Sequence, residues 1–226
     1  MDKVLAMLQL QQQLNDATNG ENWEEGVTKN GKTINWKRCI YMECAEMVDS
    51  FAWKHWKSIN AEPDFDNLQI EVVDVWHFVM SLALETYKKN MLGDIVILAE
   101  QIAQMDNYAL LYDKIDDFES EKLLMIQIES VMRDALEINL GMTKLLFDFF
   151  ELARMSKLDV PTLYRLYVGK NILNQFRQDN GYKDGSYIKI WNGEEDNVVM
   201  KRLWEENGEL KPEALYKALQ ERYKAL

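Results

Sequence analysis

Along the first eighteen residues, apolar side chains recur at Val4, Leu5, Leu8, Leu10 and Leu14, with Val4–Leu8 and Leu10–Leu14 four apart and Leu5–Leu8 three apart. That spacing, with polar residues between, predicts an amphipathic helix over residues 2–18. Residues 19–35 (NGENWEEGVTKNGKTIN) hold three glycines and predict a long loop. Helical patterning resumes over 36–58, a segment dense in aromatic and aliphatic side chains, and Pro63 breaks it. Asp66 is placed to cap a further helix over 67–90. Residues 94–117 pattern as helix with an acidic tail, and 120–139 and 142–157 as two helices split at Gly141. Asp159 followed by Pro161 opens a helix over 160–178. Residues 179–197 (DNGYKDGSYIKIWNGEEDN) predict a second Gly-rich loop, aromatic and basic. The remainder, 198–225, holds one helix or two, with Pro212 near the start of the last. No segment alternates convincingly with a period of two, so the expected class is all-α, a helical bundle without significant sheet.

Composition sharpens this picture. Three prolines in 226 residues leave long stretches free to be helical. The length suits one large domain, expected to span 1–226, or two small ones. A net charge of −12 opposes nonspecific binding to a nucleic acid polymer or an anionic membrane. It leaves room for a small anionic substrate bridged by a divalent cation. Cys39 and Cys44, five apart on one expected helix, are ill placed to pair and too few for a zinc set. They fit a reducing cytoplasm, and MDKVLAMLQLQQQ lacks the pattern of a signal peptide. No apolar run is long enough to span a membrane.

The segment CIYMECAEMVDSFAWKHW (39–56) raises the first chemical question, because Glu43 and Glu46 interrupt an apolar helix three residues apart. A second pair, Glu71 and Asp74 in IEVVDVWHF, repeats the spacing in a similar setting. Each pair shares a helix face. The short connector predicts antiparallel packing that brings the four carboxylates together. Close anions repel, and such a set is stable around cations; hard oxygen donors suit Mg²⁺ or Mn²⁺. For either pair alone, a solvated helix face is the alternative reading. Asp49 continues the row, either assisting or simply solvated, and His77 follows Asp74 by three, either touching substrate or packing in the core.

A basic stripe stands apart from these acids. Lys170, Asn174 and Arg177 fall at i, i+4 and i+7, and Tyr182, Lys183, Tyr187 and Lys189 follow. Lys and Arg hold phosphate oxygens through charge-assisted hydrogen bonds. Helix-dipole preference explains Arg177 but not the loop lysines. Acidic cluster and basic stripe together point to a metal-bound polyphosphate.

The ExxE at 43–46 followed by the ExxD at 71–74 resembles the metal signature of the all-α NTP pyrophosphatases. More closely, CIYMECAEMVDSFAWKHWK, EVVDVWHF and YVGKNILNQFRQDNGYKDGSYIKIWNGEEDN resemble the dimeric dUTPase family, in particular its bacterial dUTPase/dUDPase members. The resemblance is strong over 8–87 and 160–197 and weak over 91–158, with a variable helical region at about 91–135. It implies a homodimer that hydrolyses dUTP and dUDP to dUMP. It implies metal ligation by Glu43, Glu46, Glu71 and Asp74. It also implies base and sugar contacts from Gln11, Asn15, Trp56, His77 and Asn174, with Trp53 and Asn171 the neighbouring alternatives for Trp56 and Asn174. Phosphate contacts fall to Lys170, Arg177, Tyr182, Lys183 and Lys189. Gln11 and Asn15 are i,i+4 and share a face of the first helix, which otherwise reads as a solvated one.

On this reading two or three Mg²⁺ activate water and neutralise the leaving phosphate, with Glu46 or Glu43 as general base. Amide groups matching the imide edge of uracil set base specificity, and His77 or Trp76 packs where a 2′-hydroxyl would sit. Two other readings compete: a dCTP or broader NTP pyrophosphatase of the same fold, and a nonhydrolytic nucleotide- or partner-binding dimer.

Overall fold

A computed structural model of the chain describes residues 2–57, 62–139, 141–206 and 211–226. The chain falls into two compact units, Met1–Tyr164 and Arg165–Leu226. The all-α expectation holds: the described residues form ten α-helices and one two-stranded hairpin.

The first unit is built on α1 (Asp2–Asn19), α2 (Trp36–Val48) and α3 (Phe65–Lys89). Helix α3 is its axis, with Val72, Trp76, Val79, Met80 and Ala83 almost wholly buried. The Trp76 ring stacks on Phe149 at 4.7 Å and 12°, and its indole N–H faces Met7 Sδ at 3.4 Å. Trp76 is therefore part of the core. Phe149 lies on α7 (Met142–Met155), which pairs with α6 (Glu121–Leu136). Helix α6 also packs on α2.

Four boundaries differ from the sequence expectation, each for a local reason. Helix α2 ends at Val48, ten residues early. The next three amides, Asp49 to Phe51, bond back three residues rather than four, tightening the chain out of the helix. The aromatics that suggested continuation, Trp53 and Trp56, lie at the surface. Helix α3 begins earlier than expected because Asp64, not Asp66, is its cap, accepting from the Asn67 amide at 2.9 Å. The stretch 94–117 breaks into α4 (Ile95–Ala103), α5 (Asp106–Ala109) and a 3-10 turn (Leu110–Tyr112). Met105 between α4 and α5 is extended, and the acid-rich residues after Tyr112 form no helix. Within 179–197 the expected loop contains the hairpin of β1 (Ile190–Trp191) and β2 (Glu194–Glu195).

Helix α8 (Val160–Asp179) starts in the first unit, where Asp159 accepts from the Thr162 amide at 2.8 Å, as its sequence predicts. In the second unit follow α9 (Asp196–Glu206) and α10 (Pro212–Lys224), with proline at the first turn of α10. Gly169 lets α8 approach α9 closely: a Cβ there would lie 2.7 Å from Met200 Sδ.

Candidate active site

Three contacts fix how α2 lies on α3. Ser50, past the end of α2, meets the start of α3: its carbonyl accepts from the Asp64 amide at 2.8 Å and its hydroxyl from Asn67 Nδ2 at 2.9 Å. Glu43 and Glu46 meet Glu71 further along. Trp36, at the start of α2, stacks on Phe78 at 6.1 Å. Positions descend on one helix as they rise on the other, so the pair is antiparallel as expected.

This packing gathers acids. One ligand oxygen from each of Glu43, Glu46 and Glu71 lies within 4.8 Å of the other two. Glu46 is exposed, and Glu43 and Glu71 are half-buried. Like charges this close raise one another's energy, and more so where water is partly excluded. The negative charge of Glu43 is felt at both cysteines. Burial pushes the Cys44 thiol well above its ordinary range and Glu43 adds to it; burial and then Glu43 raise Cys39 also. Asp74, one turn beyond Glu71 on α3, is half-buried and is not a member of the close set of three. Asp49 is spoken for. It accepts from Lys54 at 2.7 Å and Trp53 at 2.8 Å, and these bonds, Lys54 first, hold its carboxyl below the usual range.

Three clustered carboxylates are a hard, all-oxygen donor set on two rigid helices, which fits a divalent cation such as Mg²⁺ or Mn²⁺.

Further along α3 the site changes from charged to amide. His77 Nδ1 lies 2.7 Å from Gln11 Oε1. Gln11 Nε2 donates to Asn15 Oδ1 and to Ser81 Oγ, both at 3.1 Å, and Asn15 Nδ2 donates to Ser81 Oγ at 3.0 Å. The Ser81 hydroxyl donates to the His77 carbonyl at 2.8 Å. All four side chains are at most 4% exposed. Gln11 and Asn15 thus point inward from α1 while Gln9 and Gln13 are exposed, and His77 of α3 joins the two buried amides. Ser81 was not anticipated; its signal is its place one turn beyond His77 on the same face of α3. On α3, His77 follows Glu71 by six residues and Ser81 follows His77 by four; at 1.5 Å per residue Glu71 and His77 are about 9 Å apart along the axis. Trp56 lies outside this cluster, 64% exposed and edge-on to Trp53 and His55.

In the second unit the basic stripe is partly matched from within. Arg177 makes a two-pronged pair with Asp196, at 2.8 Å from Nε and 2.7 Å from Nη2. Asp196 is fully buried and also accepts from the Tyr187 hydroxyl at 2.8 Å. Asn197 Oδ1 accepts from Lys170 Nζ at 2.8 Å, and Asn174 Oδ1 from Arg177 Nη1 at 3.3 Å. Asn171, the alternative to Asn174, donates to the Tyr167 hydroxyl at 3.2 Å. The sequence reading missed Asp196 and Asn197, which stand far along the chain from the stripe they serve. Tyr182, Lys183 and Lys189 are exposed, with Arg177 5.7 Å from the Tyr182 ring centre and Lys189 3.5 Å from Glu195.

Among the described residues no helix is long and apolar enough to cross a membrane. Comparison with curated proteins finds no match. A family model described as dUTPase matches residues 3–182, which include the three clustered carboxylates and the buried amides. Hydrolysis of dUTP is that family's activity, and its enzymes generally use a divalent metal, in keeping with the donor set on α2 and α3. Both units contribute to the matched stretch, which covers most of the chain, and the chain belongs to the dUTPase family.

Proposed function

We propose that this chain is a Mg²⁺-dependent hydrolase, homodimeric and cytoplasmic, that converts dUTP and dUDP to dUMP. The observation that carries the reading is that α3 takes part both in a carboxylate trio and, less than two turns on, in a buried amide cluster. Glu43, Glu46 and Glu71 hold the metal, with Asp74 one turn away as a further ligand. When bound, the metal supplies charge neutralisation for the phosphates and acidifies water. Glu46, the solvent-exposed member, takes the proton of the attacking water, and Glu43 is the second carboxylate in reach of it. Water adds to phosphorus as the P–O bond to pyrophosphate, or to phosphate from dUDP, breaks.

Gln11 and Asn15 supply donors and acceptors for the imide edge of uracil. In the structure these amides bond to each other and to Ser81, so their orientation is set before substrate arrives. His77, fixed by Gln11, faces the sugar, with Trp56 and Asn174 as further base and sugar contacts. Lys170, Arg177, Tyr182, Lys183 and Lys189 hold phosphate oxygens. A site built to hydrogen-bond one base edge rejects others strongly, which favours a uracil enzyme over a broad pyrophosphatase.

The test is a panel of dUTP, dUDP, dCTP, dTTP and UTP incubated with enzyme and Mg²⁺, with products followed by chromatography. Formation of dUMP from dUTP and dUDP alone is expected. Turnover of dCTP or of many nucleotides would overturn the uracil assignment, and binding of dUTP without turnover would overturn the hydrolase.

A further inference from the structure

The loop that follows α8 carries Tyr182, Lys183 and Lys189, all exposed. Exposed cations on a Gly-rich turn hold no fixed direction unless something holds the backbone. The turn itself needs Gly181, whose φ is +89° and where a Cβ would fall 2.0 Å from Ser186 Oγ. Beyond the turn, the loop is held from α10, by a residue 35 positions after Ile188. Tyr223 of α10 stacks on Tyr187 at 5.2 Å and 12°. Its hydroxyl accepts from the Ile188 amide at 3.0 Å, and its ring lies 5.3 Å from Trp191. One side chain thus grips three positions, from Tyr187 to Trp191 in the first strand of the hairpin. Tyr216, two turns earlier on α10, anchors the helix to α8 by donating to Asp179 Oδ2 at 2.7 Å. Tyr187 in turn lies 5.9 Å from Tyr182 and donates to Asp196, the partner of Arg177.

We propose that Tyr223 is a positioning residue: α10 works as a latch that sets the loop bearing Tyr182, Lys183 and Lys189 in the conformation that receives the substrate's phosphates. The inference rests on the phosphate-binding reading of this loop given above. Helix α10 lies beyond the residues matched by the family model. A ring stack and one hydrogen bond to a backbone amide each stabilise modestly, and losing both raises KM for dUTP about tenfold. Because Tyr223 touches no reacting atom, kcat changes little.

The experiment pairs steady-state kinetics with timed trypsin digestion of the full chain, reading cleavage after Lys183 and Lys189 by mass spectrometry. Tyr223→Leu removes the stack and the acceptor; Tyr223→Phe keeps the ring. Leu is expected to raise KM about tenfold and speed loop cleavage by a similar factor, and Phe to restore most of both, since the stack is retained. Wild-type KM and cleavage rate in the Leu variant would overturn the latch. So would a fall in kcat at constant KM, which marks a role in chemistry, or equal defects in Phe and Leu. If Leu fails to melt cooperatively, Phe against wild type decides: the lost hydroxyl is expected to leave a residual rise of about two- to threefold in KM and in cleavage rate, and no rise in either overturns the latch. A non-hydrolysable dUTP analogue separates this from the underlying reading. If it fails to protect the wild-type loop from trypsin, the phosphate assignment of the loop fails, whatever the variants do.

Discussion

The acids of α2 and α3 and the cations of α8 look alike in sequence, as short stripes of one charge on a helix face. The structure treats them differently. Glu43, Glu46 and Glu71 are pressed toward one another, like beside like, on the half-open face of the first unit. Arg177 is turned to a fully buried aspartate from α9 and bonded to it twice. A charge matched inside the protein serves the fold first, whereas like charges gathered at a surface cost stability unless a ligand repays them. The same residue pattern can therefore stand as a cluster of like charges or be held by a buried counter-charge, and the partners decide which.

Substitution should separate the two. Glu46→Gln is expected to lower kcat for dUTP by about 10²–10⁴-fold, the range for losing a general base. Its melting temperature should stay level or rise, because one of three mutually repelling charges is gone. Calorimetric melting beside the kinetics checks both halves, and a large loss of stability would return the acids to architecture.

Asp196→Asn should do the reverse. Removing one partner of a buried ion pair costs about 3–5 kcal/mol, so a clear drop in denaturant midpoint is expected. If Asp196→Asn leaves stability intact, Arg177 is not held as the structure shows.

Gln11→Leu tests the amide cluster between these extremes. It removes the group that bonds His77, Asn15 and Ser81. An increase of about 10- to 100-fold in KM for dUTP is expected, with discrimination against dCTP eroded. Ser81→Ala disturbs the same network without facing the base and should lower stability more than discrimination. Competition assays with the two nucleotides check this.

The smallest effect belongs to α10. Burial, and then the bond to Asp179, push the Tyr216 phenol up from its ordinary value of 10.0 to about 12. A raised phenol favours the neutral, folded form. Its contribution is full below pH 10 and is lost as pH rises from there to about 12. Other buried tyrosines lose stability over the same range, so the readout is a difference. Tyr216→Phe should show a shallower fall in melting temperature above pH 10 than wild type.

Much of this was legible beforehand because helices announce themselves by periodicity and acids by spacing. The two i,i+3 pairs and the i,i+4 amides of α1 were readable, since helical geometry converts spacing into a face. The end of α2 was not, because aromatic density at Trp53 and Trp56 mimics a core helix while those rings lie at the surface. Nor were Ser81, Asp196 or Tyr223. A single polar or aromatic residue carries no periodic signal, and its partner is chosen by tertiary packing. That Trp76 is core and His77 is part of a polar network shows the limit most clearly: neighbours on one helix, they face different partners.

The most direct measurement of the central claim is the initial rate of dUMP release from dUTP by chelator-treated enzyme as MgCl₂ is added back, for wild type and Glu71→Gln. The account predicts no turnover without metal, saturable recovery in wild type, and little recovery in the variant while its melting curve stays cooperative. Full activity after chelation, or equal recovery in both proteins, would contradict the assignment of Glu43, Glu46 and Glu71 as the metal site.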